Sequence, residues 1–294
     1  MAHRLALVTA AATLVLILFG GLVTNTGAGL AVPDWPTTFG HNMFLFPWSR
    51  MVGGVFYEHS HRLIGSLVGL LTLGLAGALW RAGAPLRWLG LVAVVAVIAQ
   101  GVLGGLRVVL VQDTLAILHG CLAQAFFGLL VAIALLTSPS GRAESMGVAP
   151  TLRVLTLAAV ALTYAQIVLG ALLTHAGQIV LHLAGAVAVF VFVPIVTARW
   201  RRGGDPIGAP AARLLLALLA VQLALGAGSF LARFGSIALP GEQLTVLALP
   251  VAHRLAASLI LGAAVVLAVR AGWRSSPALT PEGSPVERPH LALS

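Results

Sequence analysis

The chain has 294 residues, 59% of them hydrophobic and only 9% charged, with a mean hydropathy of +1.02. Those values exclude an ordinary soluble globular domain and put the chain among membrane proteins. The formal net charge is +9, but the basic residues are all arginines in short stretches at the ends of apolar segments, which points to membrane topology and not to nucleic acid.

Apolar runs of roughly twenty residues, enough to cross about 30 Å of hydrocarbon as a helix, occupy about 5–25, 59–80, 86–108, 114–137, 152–174, 178–198, 211–232 and 249–271. They predict an all-α integral membrane protein with eight transmembrane helices. The first run starts almost at Met1 and is followed by Thr24, Asn25, Thr26 and Gly27, with no small-residue cleavage site, so it reads as a retained helix. A long loop, about 26–57, separates the first two spans, and a second covers about 233–248. The loops on the same side after the third and fifth spans are short.

Counting from an inside N-terminus, Arg4, Arg81, Arg87, Arg142, Arg153, Arg199, Arg201, Arg202, Arg213, Arg270, Arg274 and Arg288 fall on one side. Only Arg50, Arg107 and Arg233 fall in the opposite loops, so both termini are expected in the cytoplasm and the protein in the plasma (inner) membrane. Trp80, Trp88 and Trp200 sit at the cytoplasmic boundary, where an aromatic belt is expected.

The spans repeat. Odd ones end in Leu18-Phe19-Gly20-Gly21-Leu22, Val102-Leu103-Gly104-Gly105-Leu106, Val168-Leu169-Gly170-Ala171-Leu172 and Ala224-Leu225-Gly226-Ala227-Gly228. In the last three a glutamine, Gln100, Gln166 or Gln222, precedes the first glycine by four residues. These glycines allow close helix packing in lipid and equally leave room for a flat macrocycle. Two such odd–even units make a four-helix half, and two similar four-helix bundles make the protein. Residues 1–137 form the first half, 138–151 a cytoplasmic linker containing Pro139, Gly141 and Pro150, 152–271 the second half, and 272–294 a cytoplasmic tail.

Each even span carries one histidine near its start: His61, His119, His182 and His253. A lone histidine in an apolar span is often a polar bridge between helices, but four at one depth are a functional-site pattern. Neutral imidazole binds zinc, copper or iron. No local cluster has the spacing of a closed zinc site, and single ligands on separate helices suit haem iron held between them. His59 is the rival to His61, but lies off that helix face and is expected to be an exposed neighbour. Glu58 and His61, at i and i+3, share a face, where a carboxylate acts as a general base or cation stabiliser or is simply interfacial. Arg62, Arg107, Arg233 and Arg254 are candidates for haem propionates through bidentate contacts, with snorkelling as the alternative. Cys121, the only cysteine, excludes an intramolecular disulfide and reads as a packing residue.

Taken together, Gly21-Leu22-Val23-Thr24, the loop string Gly29-Leu30-Ala31-Val32-Pro33-Asp34-Trp35-Pro36, Glu58-x-x-His61-Arg62, His119, His182 and His253-Arg254 resemble the haem A synthases of cytochrome oxidase assembly. The resemblance runs over nearly the whole chain. It implies that His61 and His119 ligate the substrate haem O, that His182 and His253 ligate a haem b cofactor, and that Glu58 lies near the reacting methyl. The implied reaction oxidises the C8 methyl of haem O to a formyl group by successive hydroxylations, and the implied partners are a haem O synthase and oxidase assembly factors. One departure stands out: many bacterial members carry a cysteine pair in the first outer loop, and the position just before Pro-Asp-Trp-Pro is Val32 here. The alternatives are a dihaem b electron-transfer cytochrome, which has no need of Glu58, and a haem chaperone of oxidase assembly, which needs neither Glu58 nor a second permanently held haem.

Overall fold

A computed structural model describes residues 1–139, 148–234 and 241–272, apart from the side chains of Phe234 and Glu242. Among the described residues, eight helices are long and apolar enough to cross a membrane: α1 (Ala2–Asn25), α2 (Gly54–Trp80), α3 (Leu86–Leu110), α4 (Asp113–Thr137), α5 (Pro150–Ala176), α6 (Ile179–Gly203), α7 (Gly208–Phe234) and α8 (Glu242–Gly272). The helices outrun the apolar stretches, most of all where α2 starts at Gly54 and α8 at Glu242. Apolarity marks the part in hydrocarbon, whereas the backbone goes on pairing its own N–H and C=O groups into the interface. Pro194 and Pro250 lie inside α6 and α8, as lipid-embedded helices tolerate when neighbours cover the freed carbonyl. Arg142, Arg274, Arg288 and most of the expected linker and tail lie outside the described residues.

In the first half each helix packs on the next and α1 closes onto α4; in the second, α5 closes onto α8 in the same way. The halves meet through α4 against α5 and α8, and through α1 against α8. Both apolar cores sit toward the N-terminal end of the odd helices and the C-terminal end of the even ones. Ala6, Leu75, Leu79, Leu130 and Ile133 fill the first core, and Val193, Trp200, Leu215 and Leu267 fill the second. Exposed apolar residues such as Leu70, Val95 and Val180 form the lipid-facing surface. Each core ties the helices together at one end, and the histidines lie at the other.

One polar staple locks the core end of the second half. Asp205, between α6 and α7, accepts hydrogen bonds from Arg270 (2.7 Å at Nη2, 3.2 Å at Nε) and from the N–H groups of Gly208 and Ile207. Beside it the Trp200 indole donates to the Thr156 hydroxyl at 2.9 Å. Burial pushes the Asp205 carboxyl up, but the bonds from Arg270, Gly208 and Ile207 outweigh it and hold the group below the usual carboxylate range. A depressed folded-state pKa means stability that is present above about pH 4 and lost as pH falls further. Asp205→Asn should lower stability by about 3 kcal/mol, the low end for stranding one member of a buried pair, read as a fall in the thermal midpoint of the purified protein in detergent. An unchanged midpoint would mean that the pair adds nothing net.

Candidate functional site

The four histidines occupy equivalent places. Each imidazole lies against the glycine that begins the small-residue string of the preceding odd helix. A Cβ added at Gly20, Gly104, Gly170 or Gly226 would stand 3.2, 3.1, 3.4 or 3.0 Å from Cε1 of His61, His119, His182 or His253 respectively. Nδ1 is the nearer ring nitrogen in every case. At Gly20, Gly104 and Gly226 even a methyl group would press on the ring, while at Gly170 it would just touch it.

Packed in this way, the rings face one another in pairs. The His61 and His119 centroids are 6.3 Å apart with planes at 74°, and those of His182 and His253 are 6.3 Å apart at 68°. Two imidazoles bound on opposite sides of one metal, with metal–nitrogen bonds of about 2.0 Å and ring centres roughly 1 Å behind the nitrogen, have centroids about 6 Å apart. The spacing therefore fits one metal between each pair. Nδ1 of His61, His119 and His253 is buried with no hydrogen-bond partner, so these nitrogens are not satisfied by a polar bridge. The donor set, two neutral nitrogens on separate helices with glycine beside each, fits haem iron.

The first site has a roof that the second lacks among the described residues. The loop from α1 to α2 folds over the start of α2 through a network centred on Arg62. Its guanidinium donates to the carbonyls of Asp34 (2.7 Å), Thr37 (3.0 Å) and Val32 (2.9 Å) and forms an ion pair with Glu58 at 2.8 Å. The second Glu58 oxygen accepts the Val32 N–H at 2.9 Å. Asp34 closes the turn by accepting from the N–H groups of Phe39 and Gly40 and the hydroxyl of Thr37. Burial pushes its carboxyl up, but those bonds outweigh it and hold it down at about 2. Trp35 of the same loop packs on Gly105, where any side chain would overlap its ring. The glycine pair of α3 thus has two tasks, Gly104 for His119 and Gly105 for Trp35. The pair of α1 divides similarly, Gly20 for His61 and Gly21 for Arg254, whose Nη1 would lie 3.2 Å from an added Cβ.

Two expectations change. His59 is buried, not exposed: it is 1% accessible, its Nδ1 lies 3.1 Å from the Thr38 hydroxyl, and Phe46 packs on it at 5.1 Å. The loop covers that side of α2, which the apolarity pattern of α2 alone does not reveal. Arg62, a candidate for propionates, has its guanidinium engaged by the loop and Glu58. Arg107, Arg233 and Arg254 have no carboxylate partner among the described residues. Arg107 and Arg233, with His175 and Thr174, line an open cleft of about 270 Å³ at the histidine end, between the ends of the odd helices. Cys121 is buried, and its carbonyl accepts the Tyr164 hydroxyl across the junction of α4 and α5.

Sequence comparison adds a family profile, COX15-CtaA, cytochrome oxidase assembly protein, that matches residues 3–180. The chain is similar to proteins named heme A synthase from Shouchella clausii (36% identity, 40% of this chain and 39% of that protein), Alkalihalophilus pseudofirmus (31%, 47% and 47%) and Bacillus pumilus (30%, 50% and 48%). It thus spans about half the length, or less, of the curated relatives it matches. The profile match takes in Glu58, His61 and His119 and stops two residues before His182. The second histidine pair rests on the internal repeat and on its own geometry.

Gly104→Ala and Gly226→Ala are expected to push an imidazole off its seat while leaving the inner cores intact. Each variant should fold with its thermal midpoint near that of the parent, and, if each pair holds a haem, should alter the low-spin EPR signal of its own half only. A signal unchanged in both would mean that the glycine contact does not set the ring position.

Proposed function

The chain belongs to the COX15-CtaA family of cytochrome oxidase assembly proteins, and from that premise we propose that it is a haem A synthase. In this reading it oxidises the C8 methyl of haem O to a formyl group through successive hydroxylations, for cytochrome oxidase maturation. The observation that carries the reading is the asymmetry of the two histidine pairs: both have the same 6.3 Å spacing, but among the described residues only the first has a buried carboxylate, Glu58, one turn from a histidine of the pair. A passive electron carrier needs no such group. The first half, residues 1–137, would take haem O through His61 and His119, and the second, residues 152–271, would hold haem b through His182 and His253. When bound, haem b supplies a one-electron redox centre.

The chain's own residues do the positioning. The gap between His61 and His119 is spanned from two helices, so the substrate is held by both. The α1–α2 loop, pinned by Arg62, covers this end of α2 and keeps water from it. Glu58 is oriented by Arg62 and the Val32 N–H, and a carboxylate fixed in this way stabilises positive charge developing on a neighbouring carbon, or takes a proton by giving up one of those bonds. Arg107, Arg233 and Arg254, free of carboxylates among the described residues, are the groups suited to propionates. The arginine distribution supports both termini in the cytoplasm of a multi-pass plasma-membrane protein, with a haem O synthase and oxidase assembly factors as partners.

Glu58→Gln keeps the side-chain shape and one of the two acceptor oxygens and leaves all four histidines in place, so it should fold and bind haem, but turnover should fall by roughly two to four orders of magnitude. Pigment extracted from that variant should be haem O or the partly oxidised alcohol. Conversion at a rate near wild type would leave Glu58 an interfacial carboxylate and favour the electron-transfer reading. For the second pair, His182→Ala or His253→Ala should remove one low-spin haem b signal from the absorption and EPR spectra. A full bis-histidine spectrum in both variants would sink the pairing.

A further inference from the structure

The connection between α2 and α3, at the end of the molecule away from the histidines, carries a cation without a counter-charge. Arg87 lies in the first turn of α3. Its guanidinium carbon is 5.8 Å from the ring centroid of Trp80, the last residue of α2, and 5.6 Å from that of Trp88. Nε of Arg87 is buried with no hydrogen-bond partner, while the residue as a whole is half-buried. No carboxylate among the described residues pairs with it, and the connecting residues, Arg81-Ala82-Gly83-Ala84-Pro85, contain none. The two helices are close here because Gly90 of α3 lies on the α2 backbone: a Cβ there would stand 3.2 Å from the Ala76 Cα.

The matching connection of the second half is built differently. There α6 also brings a tryptophan, Trp200, to this end, but Asp205 between α6 and α7 gives Arg270 a buried carboxylate. The second half neutralises its arginine internally, and the first does not. The indoles differ in the same sense: Trp200 is 1% exposed, whereas Trp80 and Trp88 are 62% and 57% exposed. Exposed indoles at the end of a transmembrane hairpin belong at the head-group level of a bilayer, where lipid phosphates lie. Cation–π contacts occupy the faces of a guanidinium and leave its N–H edge for a phosphate, which it binds bidentately. A snorkelling arginine swings freely in water, but Arg87 has an enclosed Nε and two rings to rest on.

We propose that the α2–α3 connection binds the phosphate of one net-anionic phospholipid, with Arg87 holding the phosphate and Trp80 and Trp88 fixing the guanidinium. The site is independent of what the histidine end holds. Arg81 adds a second positive charge beside it, so a net-anionic head group is preferred to one whose own ammonium opposes that charge.

Native mass spectrometry of the purified full chain, stripped of lipid in detergent and titrated with phosphatidylglycerol, tests this. The first phosphatidylglycerol should bind roughly fivefold more tightly than phosphatidylcholine with the same acyl chains. Arg87→Gln should weaken it by roughly tenfold, the loss of one charge-assisted contact. Arg87→Lys, which keeps the charge and so the fold but not the planar fork, should bind with intermediate affinity. Arg201→Gln, which alters an exposed arginine at the same membrane face outside this connection, should leave the affinity unchanged. Equal binding of the two lipids, equal weakening in Arg201→Gln, or parent-like affinity in Arg87→Gln or Arg87→Lys would each overturn the proposal. Displacement of the lipid by inorganic phosphate would also overturn it, and would assign the seat to a free anion.

Discussion

The contact on which the histidine end depends is that between an imidazole edge and a glycine backbone. Four times over, the glycine that begins an odd helix's small-residue string leaves the ring of the next even helix 3.0 to 3.4 Å from where a Cβ would stand. That contact sets how far each ring projects, and so the separation of each facing pair. In lipid no hydrophobic force drives helices together, and close backbone approach with a few hydrogen bonds does that work instead. The same small residues therefore serve assembly and ligand placement at once. In the proposed function, packing and room for a macrocycle, the alternatives that the sequence left open, are two results of one contact.

The rest of the architecture follows from separating rigidity from space. The apolar cores gather at the end away from the histidines, where Trp200 and the Asp205–Arg270 pair also lie buried. Helices held firmly at one end can leave room between them at the other without losing register. Polar contacts tie the histidine end together: the amides of Gln100, Gln166 and Gln222 reach the backbone or ring of His119, His182 and His253, and Arg62 ties the start of α2 to the loop.

Much of this was legible in the sequence, and what was not has a common cause. The spans, the four histidines and the repeat of glutamine and glycine all arise from local composition and spacing, which membrane thickness and helical period impose directly. The helix starts at Gly54 and Glu242 were less legible, because backbone pairing continues where apolarity stops. The burial of His59 and the engagement of Arg62 were hidden because both depend on where residues 32–46 fold, and no periodicity governs a loop of that length. The glutamines were visible as a pattern with no role attached. Only with α3 beside α4, α5 beside α6 and α7 beside α8 does that pattern become a set of contacts to histidines.

Val32 shows how a departure from the family pattern can leave the site standing. Many bacterial members have a cysteine at this place in the loop, and here the side chain is a fully buried valine. The contacts that matter to the site are made by its backbone: the N–H holds one Glu58 oxygen, and the carbonyl accepts from Arg62. A main-chain group does not change when the side chain does, so any residue that fits the buried space preserves the orientation of Glu58. Valine fills that space with apolar surface and removes a thiol from the immediate neighbourhood of the carboxylate. The geometry of Glu58 therefore does not require the cysteine.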